Sequence, residues 1–441
     1  MGEYTVIIIV LILFAILLIF GQYISSLLIT VGLIGVFLLE GPSLVSGFLL
    51  TDPFTRVASY TLSTVPLFVL MAQFVLKAGI VKDLYHIMYK VSRNSSGLLG
   101  VLTIVLGGLL GAVSGSGTAS SAALGQVAEP ELAKRGYGKD LAGSVAAAGG
   151  SLSAIIPPSI IIIIYGAITQ TSIGDLFIAA VIPSILMVAI YSVYTLMNLN
   201  ISKKKQKKSI KDQSKYYGEI EDTQGIFRYI VAFSTGLLIV FTIFGGIYFG
   251  IFTPTEAAGV GALVSFIAAL CLRVVNIEFI KASIKDTVNV TTMTMLIMIG
   301  AQLFGRFLSV SLLPRKVIEL LGPLVDYPFI IMMIIFVIFF FLFMFIEGSA
   351  VIVMTVPIVL PLVTLVGFNE IWFGIILCVI CSSGLLTPPV GLSVYAVSGV
   401  TGTPINSLFR HTTIYAVLVL FIVGGLLTIF PQLVTWLPAN I

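Results

Sequence analysis

The chain is 441 residues long, 58% hydrophobic and only 10% charged, with a formal net charge of +4. A soluble domain carries about 25% charged residues because its surface faces water. The composition therefore excludes a soluble globular protein and points to an all-α, polytopic membrane protein.

The opening Met1–Tyr4 has no basic residue, unlike a cleavable signal peptide, so the apolar run Val6–Phe20 is expected as a retained helix. Crossing about 30 Å of hydrocarbon takes roughly 20 helical residues. On that measure spans are predicted near 4–20, 22–40 and 62–80. Ser96–Pro130 is too short for two spans, and its middle is polar and glycine-rich. It reads as a re-entrant helical hairpin (96–130). Spans near 141–168 and 178–199 follow. The segment 200–226 carries Lys203, Lys204, Lys205, Lys207, Lys208, Lys211 and Lys215. The positive-inside rule makes it a cytoplasmic linker, and a solvated topogenic loop is preferred to a nucleic-acid-binding patch. Walking back from it leaves Lys82, Lys90, Arg93, Lys134, Arg135 and Lys139 inside and the N-terminus outside. Forwards, spans are predicted near 227–247, 257–275 and 287–312. A second hairpin (328–363) enters from outside, and spans near 370–396 and 413–435 complete the chain.

The chain reads twice. Thr169-Gln-Thr-Ser-Ile-Gly-Asp-Leu-Phe177 recurs as Thr401-Gly-Thr-Pro-Ile-Asn-Ser-Leu-Phe409, and Pro157-Pro158 as Pro388-Pro389. Pro130 matches Pro361, Gly136-Tyr137 matches Gly367-Phe368, and Met71-Ala-Gln73 echoes Gly300-Ala-Gln302. The expected domains are a first repeat over 1–199, the linker 200–226, and a second repeat over 227–441. Five full crossings per half make the repeats inverted, and inverted repeats with broken helices are a signature of secondary transporters.

Small polar residues cluster where such a transporter needs them. The first hairpin tip contains Ser114-Gly115-Ser116-Gly117-Thr118, and the following helix contains Gly149-Gly150-Ser151 ahead of Pro157-Pro158-Ser159. The second half supplies Glu347-Gly348-Ser349 and Ser382-Ser383-Gly384-Leu-Leu-Thr387-Pro388-Pro389-Val-Gly391. Proline removes an amide donor and clashes with the preceding turn, so both helices should break. The break frees carbonyls, which suit sodium, and amides, which suit an anion. Small residues in membrane helices also serve close packing, but packing alone gives no reason to break two helices at equivalent places. Glu347 is an ionisable group at an apolar tip, a costly and often functional placement; it could assist a cation site, shuttle a proton or cap a helix. Arg306 reads as a snorkelling side chain or an anion holder, and Glu256 as a helix-start charge. Cys378 and Cys381, with no neighbouring histidine, read as packing residues.

The segments Ser114–Gly125, Pro130–Tyr137, Ala147–Ser159, Pro254–Ala258, Gly384–Leu392 and Ser398–Gly402 resemble the large membrane subunit of TRAP transporters, in order and over nearly the whole chain. The resemblance implies an elevator-type transporter of the ion transporter superfamily in the bacterial inner membrane, driven by Na+. It also implies two partners, a separate small four-helix membrane subunit and a periplasmic substrate-binding protein, and a small carboxylate substrate of the C4-dicarboxylate or sialic acid type. Many relatives carry Asp where Glu347 stands. On this reading Ser114, Gly115, Gly150, Ser151, Glu347, Gly348, Ser383 and Thr387 are expected at sodium sites. Ser116, Gly117, Thr118, Ser159, Ser349, Pro389 and Gly391 are expected at the substrate.

The alternative of similar architecture is a stand-alone sodium–dicarboxylate symporter, which the full-length motif match disfavours. An intramembrane hydrolase using Ser114 or Ser116 would need a base beside the nucleophile, and His86 and His411 fall at helix ends. No G-x-x-x-x-G-K-[ST] loop supports an ATP-driven pump. The chain is therefore expected to be a transporter and not an enzyme.

Overall fold

A computed structural model describes residues 3–93, 95–206 and 225–440. The linker lysines Lys207, Lys208, Lys211 and Lys215 lie outside the described residues. Among those described there are helices and no strand, and eight helices are long and apolar enough to cross a membrane.

In chain order α1 (Glu3–Ile19), α2 (Ile24–Glu40), α3 (Pro42–Val57), α4 (Thr64–Lys77) and α5 (Ile80–Val91) precede the first hairpin. Its arms are α6 (Ser96–Ser114) and α7 (Gly117–Lys134). The first broken helix is α8 (Lys139–Ser151), a 3-10 turn at Leu152–Ala154, and α9 (Ile160–Thr169). Then come α10 (Ile173–Ala179) and α11 (Val181–Gln206). Past the linker, α12 (Ile226–Tyr248), α13 (Pro254–Cys271), α14 (Ile277–Val310) and α15 (Leu313–Leu320) lead to the second hairpin, α16 (Pro328–Phe345) and α17 (Gly348–Leu365). The second broken helix is α18 (Glu370–Gly384) and α19 (Leu392–Thr401), followed by α20 (Ile405–Ile429) and α21 (Gln432–Ala439).

Local chemistry sets these boundaries. Ser95 caps α6 by accepting from the Leu98 amide, and Gly115 ends it at φ +61°, a left-handed conformation that costs glycine little. Asn276 caps α14 and Asn369 caps α18, each through its side-chain oxygen. Thr253 and Glu256 form a reciprocal capping box at α13, which is the helix-start role expected of Glu256. Three helices escape the sequence reading. α3 holds Asp52, Pro53 and Arg56 and is too polar to resemble a span, while α5 and α15 are short.

The helices pack as two bodies. In the first, a scaffold, α2 lies along α14 and α1, α4 along α13 and α14, α12 along α13 and α5, and α3 on α14. Three ion pairs lace it: Lys77–Asp286 and Arg228–Asp83 at 2.7 Å, and Arg306–Asp52, bidentate at 2.7 and 3.0 Å. Arg306 is thus paired with an acid within the scaffold while its side chain stays 42% exposed.

In the second body α6 and α7 clasp α8, α16 packs on α18, and α20 packs on α8. The halves interlock reciprocally, with α19 on α7 and α9 on α17. Here close backbone approach does much of the packing. A Cβ on Gly111 would sit 2.6 Å from the Ser153 Cα, one on Gly107 would overlap the Gly149 backbone, and one on Gly150 would overlap Ser121. The two bodies meet along a seam where α4 touches α6 and α14 touches α17. The element order of hairpin, broken helix and closing helix occurs twice. One constant spacing relates Gly117 to Gly348, Pro130 to Pro361, Gly136 to Gly367 and Pro158 to Pro389.

Candidate functional site

Both hairpin tips open onto one cavity of about 260 Å³, closed on its far side by α4 and α14 of the scaffold. Ser114, Gly115, Ser116, Gly117 and Thr118 line it from the first tip, and Glu347, Gly348 and Ser349 from the second. The left-handed Gly115 turns the chain so that Ser116 caps α7. Ser114 Oγ lies 2.5 Å from Ser120 Oγ, and Ser116 Oγ lies 3.1 Å from Thr118 Oγ1. At the second tip Glu347 stands where the repeat spacing places Ser116. Its Oε2 caps α17, accepting from the amides of Ser349 at 3.0 Å and Ala350 at 3.3 Å and from the Ser349 hydroxyl. Two helices thus begin at the cavity and direct their positive ends to it. One tip is neutral, and the other carries the only carboxylate among the lining residues.

The remaining predicted residues lie outside that lining. Ser151 Oγ donates to the Ala148 carbonyl at 2.8 Å and accepts from Ser382 Oγ at 3.1 Å. Ser159 Oγ donates to Ala154 at 2.9 Å, Ser383 Oγ to Val379 at 3.2 Å, and Thr387 Oγ1 to Ser383 at 2.7 Å, all to backbone carbonyls. Gly150 is packed against Ser121. Pro389 is exposed, and Gly391 starts α19 at φ +57° against the Phe409 ring. The breaks still border the cavity through Ala154 and Leu385.

Sequence reading missed the scaffold wall: Gln73 on α4, and Val290, Met293 and Thr294 on α14. Gln73 left a signal, since it is a lone amide in an apolar run and is echoed by Gln302. Thr294 left none. Neither described histidine lines the cavity. His86 Nδ1 lies 2.9 Å from the Lys82 carbonyl oxygen, and His411 Nε2 lies 3.6 Å from Asp140 at the start of α8. The hydrogen bond from His411 holds the Asp140 carboxyl below its ordinary range.

The family model described as the DctM component of the tripartite ATP-independent periplasmic transporters matches residues 11–433. The sialic acid TRAP transporter large permease SiaM of Vibrio cholerae is 30% identical over 383 residues, which is 87% of each chain. The C4-dicarboxylate TRAP transporter large permease DctM of Pseudomonas aeruginosa is 30% identical over 381 residues, covering 86% of this chain and 85% of that one. The isethionate TRAP permease DctMQ of Oleidesulfovibrio alaskensis is 30% identical over 363 residues, which is 81% of this chain and 55% of that longer protein. Among solved structures, the YdaH transporter of Alcanivorax borkumensis superposes with a TM-score of 0.68 at 14% identity. That match covers 93% of this chain and 97% of that one, a likeness of fold.

Proposed function

The chain belongs to the DctM component family of the tripartite ATP-independent periplasmic (TRAP) transporters, and from that premise we propose that it is the transporting subunit of a binding-protein-dependent, sodium-coupled importer of small carboxylates in the inner membrane. The observation that carries the reading is the shared cavity. Two hairpin tips from opposite halves of one body face Gln73 and Thr294 of the other. A substrate held between the tips would move with their body past a fixed scaffold, and the three internal ion pairs of the scaffold support its rigidity.

Inverted repeats fit the packing. Ser151 and Ser382 are equivalent under the repeat spacing, and their hydroxyls are hydrogen-bonded. Residues related by a two-fold axis can touch only close to that axis, so the pair marks where a pseudo-two-fold would pass. Charge divides the cavity between its two solutes. The first tip offers hydroxyls and a helix N-terminus with no acid, which suits the carboxylate. The second offers Glu347, which favours a cation nearby. Sodium, as co-substrate, takes oxygen donors, and the hydroxyls and carbonyls of the two breaks supply that type.

The names of the relatives support sialic acid and C4-dicarboxylates as the first substrates to try. A small membrane subunit and a periplasmic binding protein are the partners the family requires. The test is uptake of labelled sialic acid and succinate into proteoliposomes holding this chain, its small subunit and its binding protein, with and without an inward sodium gradient. Uptake that ignores sodium would overturn the coupling. Uptake by this chain alone would favour a stand-alone symporter instead.

A further inference from the structure

A second cavity, of about 370 Å³, lies between the same two helices that flank the central one. Thr64 at the start of α4 lines it, while Gln73 further along α4 lines the central cavity. On α9, Ala167 lines the second cavity and Ile161 the central one. At 1.5 Å per residue Thr64 and Gln73 stand about 13 Å apart along the helix, so the two cavities are stacked. The scaffold supplies one wall, from the end of α3 and the starts of α4 and α13. The body that carries the tips supplies the other, from the end of α9 and the start of α10. The span Ile173–Leu199 runs from this cavity to the lysine-rich linker. That linker is cytoplasmic by the positive-inside rule, so the cleft lies at the outer face.

Its charge is one-sided. Arg56, on the last turn of α3, is the only charged residue in the lining, which is otherwise rich in hydroxyls such as those of Ser59, Thr64 and Thr171. No ion pair engages Arg56 among the described residues. Its Nη2 donates to the Ala167 carbonyl at 3.1 Å, and its Nε is buried without a partner. The nearest acid along its helix, Asp52, is committed to Arg306. The Ala167 carbonyl also accepts from Gln170 Nε2 at 2.8 Å, so it does not depend on Arg56. A partly buried cation without a counter-ion is costly until an anion completes it, and the planar fork of a guanidinium matches a carboxylate.

We propose that this cleft is an outer subsite for the transported anion, in which Arg56 pairs with its carboxylate before the anion passes between α4 and α9 to the central cavity. Pairing draws Arg56 from Ala167, which Gln170 keeps satisfied, and loosens a contact between the two bodies. The proposal rests on the importer reading for its ligand class, and its test separates the two.

The full chain carrying Ser59→Cys and Cys271→Ala is reconstituted in sodium-free medium, and the rate at which a charged methanethiosulfonate reagent modifies position 59 is measured with and without succinate. The expected result is protection, about tenfold when succinate is about ten times its dissociation constant. Arg56→Gln abolishes protection, Arg56→Lys retains it at higher succinate, and uncharged succinamide gives none. Equal protection in Arg56→Gln, protection by succinamide, or protection by ligand-free binding protein but not by succinate would each overturn the subsite. Sodium-driven uptake with no protection would overturn the subsite and leave the importer standing. Protection without any sodium-driven carboxylate uptake would refute the importer and uphold the cleft as an anion site.

Discussion

Replacing Gly150 by alanine separates two roles that the same residue could play. Gly150 is buried in the last turn of α8, and a Cβ there would overlap the Ser121 side chain, amide nitrogen and Cα on α7. Backbone atoms cannot swing aside as a side-chain end can, so α7 and α8 must part. Overpacking of this kind costs about 1–3 kcal/mol, and the rigid neighbour places Gly150→Ala in the upper half of that range. The helix itself gains at most about 1 kcal/mol from the exchange so close to its end, which leaves a net loss of about 1–3 kcal/mol. Gly259 on α13 is the control, because a Cβ there meets nothing within 4 Å. Gly259→Ala should therefore be neutral or gain up to about 1 kcal/mol. Denaturant- or heat-induced unfolding of the purified protein in detergent reads both. A Gly150→Ala variant as stable as Gly259→Ala would refute the packing argument. Sodium dependence reads the other role, since alanine keeps the backbone carbonyl and a ligand acting through that carbonyl alone would leave half-saturation unchanged.

Glu347→Gln removes the only carboxylate among the described residues that line the central cavity. On the sodium-coupled reading, loss of a unit charge from the same cavity at an effective dielectric of about 20 should raise half-saturation by sodium several-fold in the uptake assay. An unchanged value would remove Glu347 from the cation's surroundings. Asp52→Asn breaks the pair that ties α3 to α14. Uncoupling a buried pair costs about 3–5 kcal/mol, but the Arg306 side chain is 42% exposed, so about 1–2 kcal/mol is expected. The double variant with Arg306→Gln should lose less than the sum of the two single changes; strict additivity would show that the pair is not coupled. Because His411 lowers the Asp140 pKa on folding, their contact stabilises the protein fully above the ordinary Asp value near 3.8 and loses that contribution as pH falls through the depressed value. The stability margin of the native protein over His411→Gln should shrink across that acid window, and a margin independent of pH would contradict the assignment.

Much of the architecture was legible because membrane burial leaves coarse marks. Six of the predicted spans fall on helices long and apolar enough to cross, the two arms of the second hairpin are the other two, and α1 and α2 fall just short at 17 residues each. Over Ser96–Pro130 the structure has two helices joined at Gly115–Ser116, the second extending to Lys134. Both prolyl pairs announced breaks, which occur between α8 and α9 and between α18 and α19. What was illegible depends on partners far away in sequence. α3 escaped because its charges read as a loop, whereas Asp52 is buried by pairing with Arg306 of α14, far away in sequence. Thr294 joins the cavity wall only because α14 happens to face the tips at that turn, and one threonine in an apolar helix carries no mark of that.

The small polar residues of the broken helices show why packing and chemistry are hard to separate in such a sequence. Ser151, Ser153, Ser159 and Thr387 each donate their hydroxyl proton to a nearby backbone carbonyl. That satisfies helix carbonyls in a medium where an unpaired one is expensive, which is sufficient structural reason for the residues to be there. The same bond fixes the hydroxyl proton and leaves the oxygen's lone pairs as acceptors, the form in which a hydroxyl can meet a cation. Gly150 offers a way to separate the roles by geometry, because its missing side chain matters to α7, whereas any role at a cation site would run through its carbonyl. A change that adds a methyl and keeps the carbonyl therefore reads the packing role separately, and the hydroxyls of the breaks can then be tested one at a time against a scaffold of known stability.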